Sequence, residues 1–90
     1  MSHFPFSEER TATEAIRRFC GDVDGEELVW HRDREDREVT VLEGAGWYFQ
    51  MDDKLPVQMR PGDVYNIPRE TWHRVIRRGT SDLTVRVRFP

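Results

Sequence analysis

Cysteine is almost absent: the 90 residues hold one, Cys20. A single thiol excludes an internal disulfide and a zinc site built from several cysteines. Lysine is as rare, with Lys54 alone among 14 basic residues and arginine making up the rest. No apolar run exceeds three residues, so no membrane-spanning helix is expected. The N-terminus has neither a basic start nor an apolar stretch, so a secretory leader is not expected and a reducing, cytoplasmic compartment is. Internal repeats, linkers and low-complexity segments are missing too. A chain this short has room for one core and buries only about 60% of its extended surface. A lone copy is therefore marginal, and a homodimer is expected.

What is present is polar but not disordered. Apolar residues make up 37% and charged residues 34%, yet aromatics reach 11%, a share that disordered chains lack. Net charge is −3, which gives no footprint for nucleic acid. The charge is uneven: residues 1–59 carry 7 basic and 14 acidic groups, residues 60–90 carry 7 and 3. Complementary faces of an oligomer, an anion site, or plain cross-strand pairing would each produce this asymmetry.

Along the chain, Phe4-Pro5-Phe6 reads as an arm. Ser7 suits an N-cap, Glu8 and Glu9 a first turn, and Ala12, Ala15, Ile16 and Phe19 make one helical stripe. Arg17 and Arg18 suit a helix C-terminus and Gly21 a stop, so the spacing predicts one helix over 8–20. Cys20 at its end reads as a buried or half-buried structural thiol, because no paired base accompanies it. Beyond Gly21 the period becomes two. Strands are predicted at Leu28–Arg32, Arg37–Glu43, Trp47–Met51, Val57–Met59, Val64–Ile67, Trp72–Arg77 and Leu83–Phe89, with turns between them. About seven short strands with regular turns indicate an all-β sandwich or barrel. One domain results, with residues 1–25 as arm and helix and 26–90 as the barrel.

Three histidines are available for chemistry. His3 falls in the arm and reads as solvated; His31 and His73 fall on strands. His31 and Asp33 are two apart, so an extended chain points both to one face. Such a pair is either half of a metal site or a polar pair on a sheet surface.

The stretch Trp30–Val75 resembles the two-motif signature of the cupin superfamily. His31, Asp33, the strand Val39-Thr40-Val41-Leu42-Glu43 and Gly44 stand where the first motif has its His-x-His pair and glycine-terminated strand. Gly62, Pro68 and His73 match the spacing of the second motif, although Glu70 replaces its usual glycine. The resemblance implies a small double-stranded β-helix, or jelly roll, carrying the N-terminal helix. It also implies a divalent metal (Fe, Mn, Ni or Zn) held by His31, Asp33 and His73. The usual glutamate position holds Arg37, and Glu38 reaches it only through a one-residue bulge. Two arrangements stay open: His31, Asp33 and His73 as a two-histidine, one-carboxylate face, or the same with Glu38 as fourth ligand. A third has no metal, with Arg37 paired to Asp33 inside the barrel mouth.

Arg37, Gln50, Tyr48 and Asn66 are the candidates for contacting a small-molecule ligand, with Trp47 and Trp72 as further aromatic candidates. Arg74, Arg77 and Arg78, with Arg69 nearby, read as a solvated edge or an anion site. The resemblance supports a metal-dependent enzyme acting on a small organic acid or sugar-like molecule. It equally supports a non-catalytic small-molecule sensor without metal. Neither nucleic acid nor a membrane is an expected partner.

Overall fold

A computed structural model describes residues 5–90. Among the described residues the chain builds eight strands: β1 Phe6–Arg10, β2 Glu14–Phe19, β3 Arg37–Glu43, β4 Trp47–Met51, β5 Val57–Gln58, β6 Val64–Ile67, β7 His73–Arg77 and β8 Leu83–Arg88. One 3-10 turn, Gly25–Glu27, is capped by the Asp24 side chain. The strands form two antiparallel sheets, ordered β1-β2-β8-β3-β6 and β5-β4-β7. Among the described residues no helix is long and apolar enough to cross a membrane.

Period-two alternation explains the core. Val39 and Val41 of β3, Trp47 and Phe49 of β4, and Leu83, Val85 and Val87 of β8 face inward and pack into one apolar cluster. Aromatic contacts tie the two sheets: Phe19 of β2 lies 5.7 Å from Trp47, and Phe49 lies 4.7 Å from Tyr65 of β6. Trp47 is fully buried and its indole N–H donates to the Ser81 carbonyl at 2.8 Å, so burying its polar atom leaves no deficit. At Gly46, φ is +76° and an added Cβ would stand 2.8 Å from Gly79 Cα. Only glycine suits that meeting of two turns.

The predicted helix over 8–20 is a hairpin instead. β1 pairs with β2, and β2 with β8. Thr11 organises the turn: its hydroxyl accepts from the Glu14 N–H at 3.2 Å, and its own N–H donates to the Glu14 carbonyl at 2.8 Å. The stripe that suggested a helix is split between two faces. Ala15 and Phe19 are buried, Ile16 is half-buried on the opposite side and Ala12 is exposed. Docking against β8 buries Ala15 and Phe19, and pairing with β1 sets Phe6 opposite Phe19 and Glu8 opposite Arg17, contacts that a local helix lacks. Cys20 follows β2 and is exposed, not buried, because Phe19 takes the inward position. Residues 28–32 form no strand; His31 alone bridges to His73. His3 and Phe4 lie outside the described residues.

Candidate metal centre

His31 and His73 come together through the backbone. The His31 N–H donates to the His73 carbonyl at 3.0 Å, and the His73 N–H returns to the His31 carbonyl at 2.9 Å. Directly opposed residues of an antiparallel pair present their side chains on the same face. The two imidazoles accordingly lie 4.3 Å apart between ring centroids. Asp33 is two residues beyond His31, and the Glu70 N–H donates to its carbonyl at 2.7 Å, anchoring the loop. Glu70 does this with φ at +61°. The position thus keeps the left-handed backbone suited to the glycine it replaces.

Each imidazole is oriented by a carbonyl two residues earlier. His31 Nδ1 lies 3.0 Å from the Val29 oxygen and His73 Nδ1 lies 2.8 Å from the Thr71 oxygen. A carbonyl only accepts, so Nδ1 carries a proton in each ring, and in a neutral ring Nε2 then presents a lone pair. His73 Nε2 stands 3.4 Å from Asp33 Oδ2, and that carboxylate oxygen is buried with no hydrogen-bond partner. With His73 neutral these are two facing acceptors, and a metal ion or a shared proton between them would satisfy both. One ligand atom from each of His31, Asp33 and His73 lies within 4.8 Å of the others. Two imidazoles and one carboxylate, oriented by outer hydrogen bonds, suit a divalent transition metal.

The electrostatics favour the ligating state of His31 and Asp33. His31 has its pKa lowered, first by desolvation and further by His73 and Arg37, so its ring is kept neutral. Burial alone would raise the Asp33 pKa; the close approach of His73 and then the Arg37 guanidinium outweigh it and hold it below the usual value. Arg37 Nη1 lies 3.5 Å from Asp33 Oδ1, and Nη2 lies 3.5 Å from Glu35. Arg37 therefore engages the other carboxylate oxygen, leaving Oδ2 to the rings.

The cluster opens into a cavity of about 490 Å³ between the sheets. Phe19, Phe49, Met59, Ile67, Leu83 and Val85 supply part of a mostly apolar lining. Its polar side chains are Arg17, Glu27, His31, Arg32, Asp33, Arg37 and His73. A few polar groups set in an apolar cavity of this size are typical of a small-molecule site.

The structure brings His31, Asp33, His73 and Arg37 together and leaves Glu38, Tyr48, Gln50 and Asn66 elsewhere. Glu38 alternates away from Arg37 and Val39 and faces Arg88 at 3.8 Å, outside the three-residue group. The register irregularity of β3 falls between Val41 and Glu43, too late to turn Glu38 inward. Asn66 sits opposite Glu38 and is exposed. Tyr48 and Gln50 alternate with the cavity-lining Phe49 and face outward: Arg78 stacks over Tyr48 at 4.8 Å, and Gln50 accepts from Arg74 at 2.9 Å. Trp72 is also outside, under Arg32. Trp47 is a core residue that does not line the cavity.

Helical reading of 8–20 concealed Arg17 and Glu8. On β2, Arg17 lines the cavity, and its Nε donates to Glu8 at 2.6 Å. Reading Ala15, Arg17 and Phe19 at period two would have placed Arg17 on the inner face.

Comparison with known proteins agrees with this architecture. The family model of the Cupin domain matches residues 21–87. A cupin domain from Bordetella pertussis Tohama I superposes with a TM-score of 0.65 at 16% identity, covering 100% of this chain and 98% of that one. A Neisseria meningitidis protein gives 0.63 at 16% identity, with 100% and 89% covered. A cupin-2 domain protein from Shewanella frigidimarina NCIMB 400 gives 0.62 at 16% identity, with 97% and 80% covered. No curated protein matches the chain. With its facing antiparallel sheets, its histidine pair and a match spanning most of its length, the chain belongs to the cupin domain family.

Proposed function

We propose that this cupin binds a divalent transition metal through His31, Asp33 and His73 and receives a small organic molecule in the adjoining cavity. The observation that carries the reading is the orphaned Asp33 Oδ2 facing Nε2 of His73. A bound metal would supply Lewis-acid polarisation of a ligand carbonyl or of water. Asp33 contributes the anionic ligand, the histidines contribute neutral ones, and the apolar walls restrict access of bulk water. The donor set suits Fe(II), with Mn, Ni and Zn as other candidates. Arg37 brings a like charge near the metal, and Asp33 and Glu35 offset it.

Elemental analysis of protein purified without chelator is the test. Near-stoichiometric metal, lost in His73→Ala, supports the proposal; metal-free protein refutes it. The Arg37–Asp33 pair favours a second reading, a non-catalytic ligand-binding module without metal. That reading predicts metal-free protein whose melting temperature still rises with small organic ligands. We further propose that the protein acts as a homodimer; light scattering at micromolar concentration giving the monomer mass would overturn this.

A further inference from the structure

Two arginines enter the cavity from the inner face of the five-stranded sheet, and the metal reading uses only Arg37. Along that face Ala15, Val87 and Val39 stand in one row across β2, β8 and β3. Arg17 lies one inward position to one side of this row and Arg37 one to the other, with Val87 of the intervening strand β8 between them. Their side chains are each 14% exposed. Neither guanidinium is saturated. Arg17 uses Nε toward Glu8, and its terminal nitrogens donate no hydrogen bond among the described residues. Arg37 Nε is buried without a partner, and its terminal nitrogens approach Asp33 and Glu35 only to 3.5 Å. The two cations also repel: burial first, and Arg37 among the further causes, lowers the Arg17 pKa against the opposing pull of Glu8. Confined guanidinium groups with spare donors are suited to an anion, and a carboxylate matches their planar geometry.

We propose that Arg17 and Arg37 form a carboxylate-binding subsite on the cavity wall, and that the ligand is a carboxylic acid with an apolar body, not a sugar. This rests on the cavity reading above, but not on the presence of metal. The lining supports the class of molecule. It includes Phe6, Phe19 and Phe49 and contains no serine, threonine, asparagine or glutamine. Sugar hydroxyls would find almost no neutral hydrogen-bonding partners there, whereas an aliphatic or aromatic acid would match both the walls and the arginines. Glu8 competes with that acid for Arg17.

The test is calorimetric titration of the full chain with benzoate and with benzamide, its neutral counterpart, in chelator-treated and untreated samples. Benzoate is expected to bind at least about tenfold more tightly than benzamide in both. Arg17→Met is expected to weaken benzoate by about tenfold while leaving benzamide unchanged. Glu8→Gln, which removes the competing carboxylate, is expected to tighten benzoate, a gain that unfolding would not produce. Equal affinities, no binding of either probe at millimolar concentration, undiminished benzoate binding in Arg17→Met, or no gain in Glu8→Gln overturns the proposal. Metal content of the same samples is read separately. Metal-free protein that still prefers benzoate refutes the metal centre and leaves the subsite standing.

Discussion

Asp33 divides its two oxygens between a guanidinium and an imidazole pair, and the acid sensitivity of the protein follows from this neighbourhood. His31 has a folded pKa below its ordinary value of 6.5, and Asp33 one below 3.8. Lowered values mean that the unfolded chain takes up these protons first. The contribution of His31 is complete above about pH 6.5 and is lost as pH falls through its folded pKa; that of Asp33 is complete above about pH 4 and is lost lower still. Melting temperature is therefore expected to fall from about pH 7 to about pH 5, with a shallower fall in His31→Gln. An unchanged slope in that variant would remove His31 as the cause. Glu70 supplies a second residue-scale prediction. Its left-handed backbone costs a non-glycine residue about 1–2 kcal/mol, and its ion pair with Arg32 joins two half-exposed side chains. Glu70→Gly is expected to stabilise by about 1 kcal/mol, after the greater unfolded-state entropy of glycine is set against the relieved strain. Thermal unfolding should show a rise of about 4 °C.

At the scale of elements, the end of β2 is fastened to the turn between β7 and β8. The Gly21 N–H donates to the Asp82 side chain at 2.7 Å, and Arg77 donates to the carbonyls of Gly21, Val23 and Gly79. A Cβ on Gly21 would stand 1.9 Å from the Thr80 carbonyl oxygen, so Gly21→Ala must displace backbone. We expect a loss of about 3 kcal/mol, seen as a lower urea midpoint. Gly25→Ala, with nothing within 4 Å of the added carbon, should leave that midpoint nearly unchanged. Arg74, Arg77, Arg78 and Arg88 are each engaged separately. Arg77 clamps carbonyls, Arg74 stacks on Trp30 and bonds Gln50, Arg78 covers Tyr48, and Arg88 faces Glu38.

For the molecule as a whole, metal binding at His31, Asp33 and His73 would be coupled to folding. These candidate ligands lie on segments around residues 31 and 73 that only the folded chain brings together. A metal that binds only the folded chain should add about 2.7 kcal/mol at a free concentration one hundred times its Kd. Chelator should reverse that rise in melting temperature, and His73→Ala should abolish it. A shift that persists in His73→Ala would place the metal elsewhere.

Much of the architecture was legible locally. Alternation located β3, β4, β6 and β8, and the glycine and proline spacing identified the segment carrying His73, because strand periodicity and turn chemistry are properties of neighbouring residues. The His31–Asp33 pair could be singled out for the same reason. The hairpin at the N-terminus was not legible, since Ala12, Ala15, Ile16 and Phe19 satisfy a helical spacing better than the alternation of a strand. Only the free edge of β8 decided between them, by offering β2 a partner that buries Ala15 and Phe19. The same distant pairing turned Arg17 into the cavity. Position on a face follows from sequence alone, but which face becomes the interior depends on contacts between segments remote in the chain.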